Sequence, residues 1–171
     1  MTKLQKIFSF ILLVLGVILC LAIWYKVTYS MDIADTYEVH TKTSSRRLLV
    51  ATQGSDFKNS VVQEIVTHFK GDSIYINIID ISALDSIDPN DYTAILLIHT
   101  WENWKPPVQI ENFIHRTKRY QDKIAAITTS GKGTYHMEGI DAITGESKPE
   151  NILPIANEAI ERIQAIFDFT L

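Results

Sequence analysis

Leu48-Leu-Val-Ala-Thr-Gln-Gly-Ser-Asp-Phe-Lys-Asn-Ser-Val-Val-Gln-Glu-Ile-Val-Thr-His-Phe69 carries three signals in succession. Leu48 to Ala51 is a short apolar run, the pattern of a strand covered on both faces. Thr52 to Ser60 is polar, contains one glycine, and interrupts that run. Val61, Val62, Ile65, Val66 and Phe69 then recur at helical spacing, with Ser60 and Gln63 placed as a capping box and Gly71 as a stop. Strand, polar loop and helix in this order begin an α/β fold.

The alternation continues towards the C-terminus. Ile74–Ile79 and Ala94–Ile98 read as a second and a third strand. Pro106 and Pro107 open a helix whose Ile110, Phe113, Ile114 and Thr117 share a face. Lys123–Thr128 is a fourth strand, and Ile140–Ile143 a short fifth. A last helix begins near Pro154 and buries Ile155, Ala159, Ile160, Ile163 and Phe167. Between the fourth and fifth strands about a dozen residues show no helical period, which is near the minimum for a parallel crossover. The expectation is a three-layer α/β sandwich over 46–171 with a mostly parallel sheet of four to five strands.

The N-terminus differs. After a basic flank at 1–6, residues 7–25 are apolar at 17 of 19 positions and carry no charge. As a helix they span about 28 Å, close to the hydrocarbon thickness of a bilayer. Trp24 and Tyr25 at the far end suit an interface. A cleaved signal peptide would have a shorter apolar core and a small-residue cleavage site, which Ile23-Trp-Tyr-Lys26 does not offer. Cys20 follows the bulky Leu19, which speaks against lipoprotein processing. A single-pass anchor in the cell membrane is expected, with the bilayer as partner through 7–25 and a stalk over 26–45. Lys3 and Lys6 against Lys26 favour a cytoplasmic N-terminus and a domain outside the cytoplasm.

The formal charge of −4 divides into +1 for residues 1–45 (four Lys against three Asp/Glu) and −5 for the remainder. An acidic domain excludes nucleic acid as a main partner, since phosphate contacts need clustered Lys and Arg. The one cysteine lies in the membrane segment, so the domain needs no disulfide. His99, His115 and His136 are isolated, without metal-ligand spacing. No Walker, dinucleotide or nucleophile-elbow motif occurs, and no catalytic residue is assigned.

Three loops follow strand C-termini, where open α/β sheets bind ligands. Thr52 to Ser60 has the makings of an anion cradle at a helix N-terminus, although Asp56 opposes one and a plain helix cap uses the same residues. His99-Thr-Trp-Glu-Asn-Trp-Lys-Pro-Pro107 presents two tryptophans that can stack on a planar ligand or cap the core. Within it His99 is read as a hydrogen-bonding residue. Thr129-Ser-Gly-Lys-Gly-Thr-Tyr135 combines two glycines that permit positive φ with an aromatic face.

Taken in order, these segments resemble a flavodoxin-like domain. Gly54-Ser-Asp-Phe-Lys-Asn-Ser60 is similar to the Gly-Ser-x-x-Lys-Asn-Ser/Gly loop of the superfamily's flavin-reductase branch, and Asp85, Asp88, Asp91 and Tyr92 precede the third strand. The resemblance implies non-covalent FMN. Thr52, Gly54, Ser55, Lys58, Asn59 and Ser60 would hold its phosphate. Thr100, Trp101 and Trp104 would hold the ring, and Thr129, Ser130, Gly131, Gly133 and Tyr135 its far side. The implied activity is electron transfer or reduction of a quinone or flavin, with a redox partner protein or a quinone. The loop lacks the Thr-x-Thr-Gly-x-Thr form of true flavodoxins, and the expected fourth helix is missing. A second reading therefore stands beside the first: a domain that keeps the fold without flavin and acts as a membrane-anchored interaction or regulatory module. Asp141-Ala-Ile-Thr-Gly-Glu-Ser147 resembles a covalent-flavin motif of a different fold, but Glu146 stands where that motif has alanine.

Overall fold

The computed structural model describes residues 2–29, 31–40, 43–102, 104–135, 137 and 139–169, with the backbone alone at 26–29. The chain divides into a unit ending at Met31 and a unit beginning at Asp32.

The first unit is one helix, α1 (Lys3–Tyr29). Its apolar part, Lys3–Tyr25, is long and apolar enough to cross a membrane, and its side chains are exposed.

The second unit is built on a sheet of six strands in the order β1-β3-β2-β4-β5-β6: β1 (Tyr37–Val39), β2 (Arg47–Thr52), β3 (Tyr75–Asp80), β4 (Ala94–Thr100), β5 (Ile124–Thr129) and β6 (Asp141–Gly145). β2 to β6 pair in parallel. The chain steps from β2 to β3 on one side and then returns to β4 on the other side of β2, so the topological switch point lies between the C-terminal ends of β2 and β4. The central strands are Leu-, Ile-, Val- and Ala-rich because both faces are covered. Helices α2 (Asp56–Phe69) and α4 (Ile152–Phe169) pack on one face, where Val61, Ile65, Phe69, Ala159, Ile163 and Phe167 meet Leu48, Val50, Leu96 and Ile127. On the other face α3 (Val108–Arg116) brings Ile110 and Phe113 against Leu49, Ile95 and Leu97, and the short helical segment Ile81–Ser86 adds Leu84.

The expected strands and helices form within a few residues of their predicted positions, and three features differ. First, the sheet has six strands rather than four or five. The extra one, β1, pairs antiparallel with β3 and comes from the segment read as a stalk. Second, α2 begins a turn earlier than the capping box predicted. Ser55 is its N-cap, with Oγ accepting from Lys58 N at 3.2 Å, whereas Ser60 lies inside the helix and donates to Asp56 O at 2.8 Å. Third, α2 stops ahead of Gly71 as expected, at Phe69 with Lys70 as its C-cap, but the residue in the left-handed region is Ser73 (φ 52°).

Among the described residues, no helix joins β5 to β6. Met137 and Ile140 of that connection are half-buried and pack against the core on the α3 face.

Candidate functional site

The C-terminal ends of β2, β4 and β5 bring the three predicted loops together. The connection from β2 to α2 is only Gln53, Gly54 and Ser55. The amides of Gln53 and Gly54 are committed to the protein itself. Gln53 N donates to Ile98 O, Lys58 N to the Ser55 cap, and Asn59 N to Ser55 O. Gly54 forms an antiparallel bridge with Asp32: Gly54 N donates to Asp32 O at 2.7 Å, and Asp32 N donates to Gly54 O at 3.1 Å. The approach is so close that a Cβ on Gly54 would lie 2.8 Å from both Asp32 O and Ile33 O. The strap from Asp32 to Ala34 is pinned a second time, where Ala34 N donates to Asp80 Oδ2 at 2.8 Å and Ala34 is buried.

This arrangement does not fit a phosphate. A cradle of this type needs outward-pointing loop N–H groups and hydroxyls. Here Gly54 faces the strap, Ser55 caps its own helix, Ser60 bonds back along α2, and the exposed Asp56 occupies the first helical turn. Thr52 is buried and donates to Gln53 O. Asn59 is exposed and, with Ala34, Tyr37, Thr52 and Gln63, lines a cavity of about 260 Å³ beside α2. Lys58, the one charged residue among the predicted phosphate ligands, turns fully inward. Burial lowers its pKa to about 8, against the pull of the nearby Glu102 carboxylate, and its Nζ lies 3.4 Å from Ser55 Oγ.

The other predicted residues assemble more closely. Trp101 N donates to Thr129 O at 2.9 Å, which carries the β4–β5 ladder one residue past β4. Thr100 and Thr129 place their hydroxyls 2.7 Å apart. Trp101 and Tyr135 have ring centroids 5.0 Å apart at 46°. Ser130 is buried, with its N–H bonded to Gly145 O and its carbonyl accepting from Gly133 N. Gly133 takes φ 63°, and a Cβ there would lie 2.9 Å from Gly145 C. Two residues stand apart. Trp104, at φ 62° in the tight Glu102–Lys105 turn, is 79% exposed, and Gly131 is open to solvent. Asn103, His136 and Glu138 of these loops lie outside the described residues.

Sequence reasoning missed Gln53, which ties two loops together: its Oε1 accepts from Thr100 N at 2.8 Å and its Nε2 donates to Glu102 Oε1 at 2.9 Å. Its signal was an amide placed directly after a buried strand. His99 belongs to β4 rather than to the loop and is fully buried. Its Nε2 lies 3.2 Å from Thr128 Oγ1, and burial together with the Lys58 charge lowers its pKa to about 4. Among the described residues, His99 Nδ1, Trp101 Nε1 and Ser130 Oγ are buried without a hydrogen-bond partner, and all three lie at this end of the sheet.

No protein-family model and no curated protein matches the chain. Solved structures do. The flavodiiron core Flv1 from Synechocystis sp. PCC6803 superposes with a TM-score of 0.55 at 8% identity, over 74% of this chain and 37% of that one. The fold is flavodoxin-like. An oxidised flavodoxin 2 from Bacillus cereus (TM-score 0.49, 16% identity, 71% of this chain and 99% of that one) and a flavodoxin from the domain Archaea (0.48, 12%, 70% and 98%) are also similar. At these identities the likeness speaks for the fold alone.

Proposed function

We propose that the chain is a membrane-anchored flavodoxin-like module that does not carry FMN as a resident cofactor. It acts by binding at the C-terminal edge of its sheet, as an interaction or regulatory domain. One observation carries this reading: the backbone of Asp32–Ala34 lies on Gly54, where a phosphate would need the loop's N–H groups. In this reading α1 serves as the anchor in the bilayer, a role supported by its length and apolar composition, and Lys3 and Lys6 favour a cytoplasmic N-terminus.

The test is the absorption spectrum of the detergent-purified chain, followed by titration with FMN. The expected protein is colourless and does not quench added FMN at micromolar concentration. Stoichiometric flavin in the purified protein would overturn the reading.

A second reading, FMN-dependent electron transfer or quinone reduction with a redox partner, is favoured by the partnerless Trp101 Nε1 and Ser130 Oγ. Bound FMN would supply the redox chemistry, and these two groups the ring contacts. A yellow protein that loses its flavin in Trp101→Phe would support it.

A further inference from the structure

We propose that the C-terminal pole of the sheet docks on a lipid surface through Ile33, Trp104, Val108 and Leu153. The inference rests on the reading above, in which this edge is the binding surface, and names its partner.

The first ground is where the exposed apolar side chains lie. Among the described residues from 32 onwards, six large apolar side chains are exposed: Ile33, Tyr37, Trp104, Val108, Leu153 and Phe169. Four of the six share one pole. Ile33 belongs to the strap on Gly54, and Trp104 to the turn that follows β4. Val108 opens α3 and Leu153 lies in the first turn of α4, and both helices start at the end of the sheet where the preceding strand stops. Ile33 is 83% exposed. Trp104 is held at φ 62° by the Glu102–Lys105 bridge, a conformation that a bulky side chain rarely adopts. Strain of this kind collects at functional positions, and here it keeps an indole in the open.

The second ground is the sequence itself. Asp32, the first strap residue, follows Tyr25 at the end of the apolar stretch by seven positions. Fully extended, seven residues reach about 24 Å, so whatever path they take they tether this pole close to a bilayer that holds residues 7–25. A soluble partner could meet any face of the domain. The tether brings this face to the lipid.

The third ground is charge. Lys105 and Lys132 are exposed at this pole, but Asp32, Asp56, Glu102 and Glu150 are exposed there too. Attraction to anionic headgroups is therefore offset. The contact is apolar and aromatic, of the kind tryptophan makes at the boundary between headgroups and hydrocarbon.

The test uses the full chain reconstituted in phosphatidylcholine vesicles. Trp24→Phe removes the tryptophan of the apolar stretch, and adding Trp104→Phe isolates the Trp104 emission by difference. Lipid brominated near the headgroup is expected to quench that emission at least about twofold, and iodide in the medium to leave it largely untouched. Phosphatidylserine in the vesicles should change the quenching by less than about twofold. Ile33→Ser and Leu153→Ser, both at exposed positions, should each lower it, with thermal melting as the check on the fold. Trp104 emission open to iodide and unmoved by bromolipid would overturn the inference, because the pole then faces water. Emission protected from both quenchers would also overturn it, with a second copy of the chain as the covering partner. Quenching indifferent to both serine substitutions would remove Ile33 and Leu153 from the contact and overturn the surface as drawn. Failure of the chain to float with vesicles would overturn the anchor and the docking together. Flavin is read separately by absorption: a yellow protein with lipid-quenched Trp104 would sink only the loss of FMN, and a colourless one with water-exposed Trp104 only the docking.

Discussion

His99 shows how a single buried residue contributes to the response of this domain to acid. Its pKa falls to about 4 because burial strips water from the imidazolium, and the Lys58 charge adds to the effect. The unfolded chain, with the ordinary value of 6.5, takes up this proton first. The contribution of His99 is therefore full above pH 6.5 and is lost as pH falls from 6.5 towards 4, by about 3 kcal/mol at most. Urea unfolding at pH 7.5, 6, 5 and 4 measures that slope, and His99→Gln should flatten it across this window. Gly54 acts through space rather than charge. In Gly54→Ala the new methyl meets two strap carbonyls at 2.8 Å, and neither belongs to a flexible side chain. A loss of about 1–3 kcal/mol is expected, the usual range for overpacking, together with faster proteolysis between Asp32 and Thr36. An unchanged melting temperature and cleavage rate would show that the strap yields without cost.

At the scale of the element, α2 separates what its sequence showed from what it concealed. The apolar spacing of Val61, Val62, Ile65, Val66 and Phe69 announced a helix, and all five are buried. Its start was misread because Ser55 and Ser60 are chemically equal candidates for a cap. The choice depends on the β2–α2 connection having only three residues, which no side chain encodes. Ser55→Ala should therefore destabilise the protein by about 1 kcal/mol, whereas Ser60→Ala should change it by no more than a few tenths. Chemical denaturation of the two variants checks the assignment, and a larger effect at Ser60 would restore the capping box. The same limit governed the loops. The aromatic and hydroxyl side chains of Trp101, Thr129, Ser130 and Tyr135 were legible as a cluster. The contact that closes the anion loop was not, because it joins the backbones of Asp32 and Gly54 and leaves no mark on residue type.

On the scale of the whole molecule, the parallel sheet was legible because its strands are continuous apolar runs, whereas β1 has three residues with Tyr37 and Glu38 exposed and Val39 half-buried. The strap and β1 lie on the N-terminal side of the sequence boundary at Arg46. The second unit begins at Asp32, and the segment from there to Val39 bridges Gly54, donates to Asp80 and extends the sheet at β3. Two chains test that boundary, one beginning at residue 32 and one at residue 46. The longer keeps the strap and β1. The shorter loses both hydrogen bonds of the Asp32–Gly54 bridge, the Ala34–Asp80 bond and the β1 pairing, at about 1 kcal/mol for each bond. A deficit of about 3–5 kcal/mol follows, a large share of the 5–15 kcal/mol that holds an ordinary domain. The chain from 32 is expected to unfold in one cooperative step. The chain from 46 should show a urea midpoint well below it, or no folded baseline. The shorter chain also uncovers Gly54, so it separates two causes of weak FMN binding. If it stays folded and gains FMN affinity, the strap alone keeps the phosphate out. If it stays folded and remains indifferent to FMN, the short β2–α2 connection is sufficient. Equal midpoints for the two chains would return 32–45 to the role of a stalk.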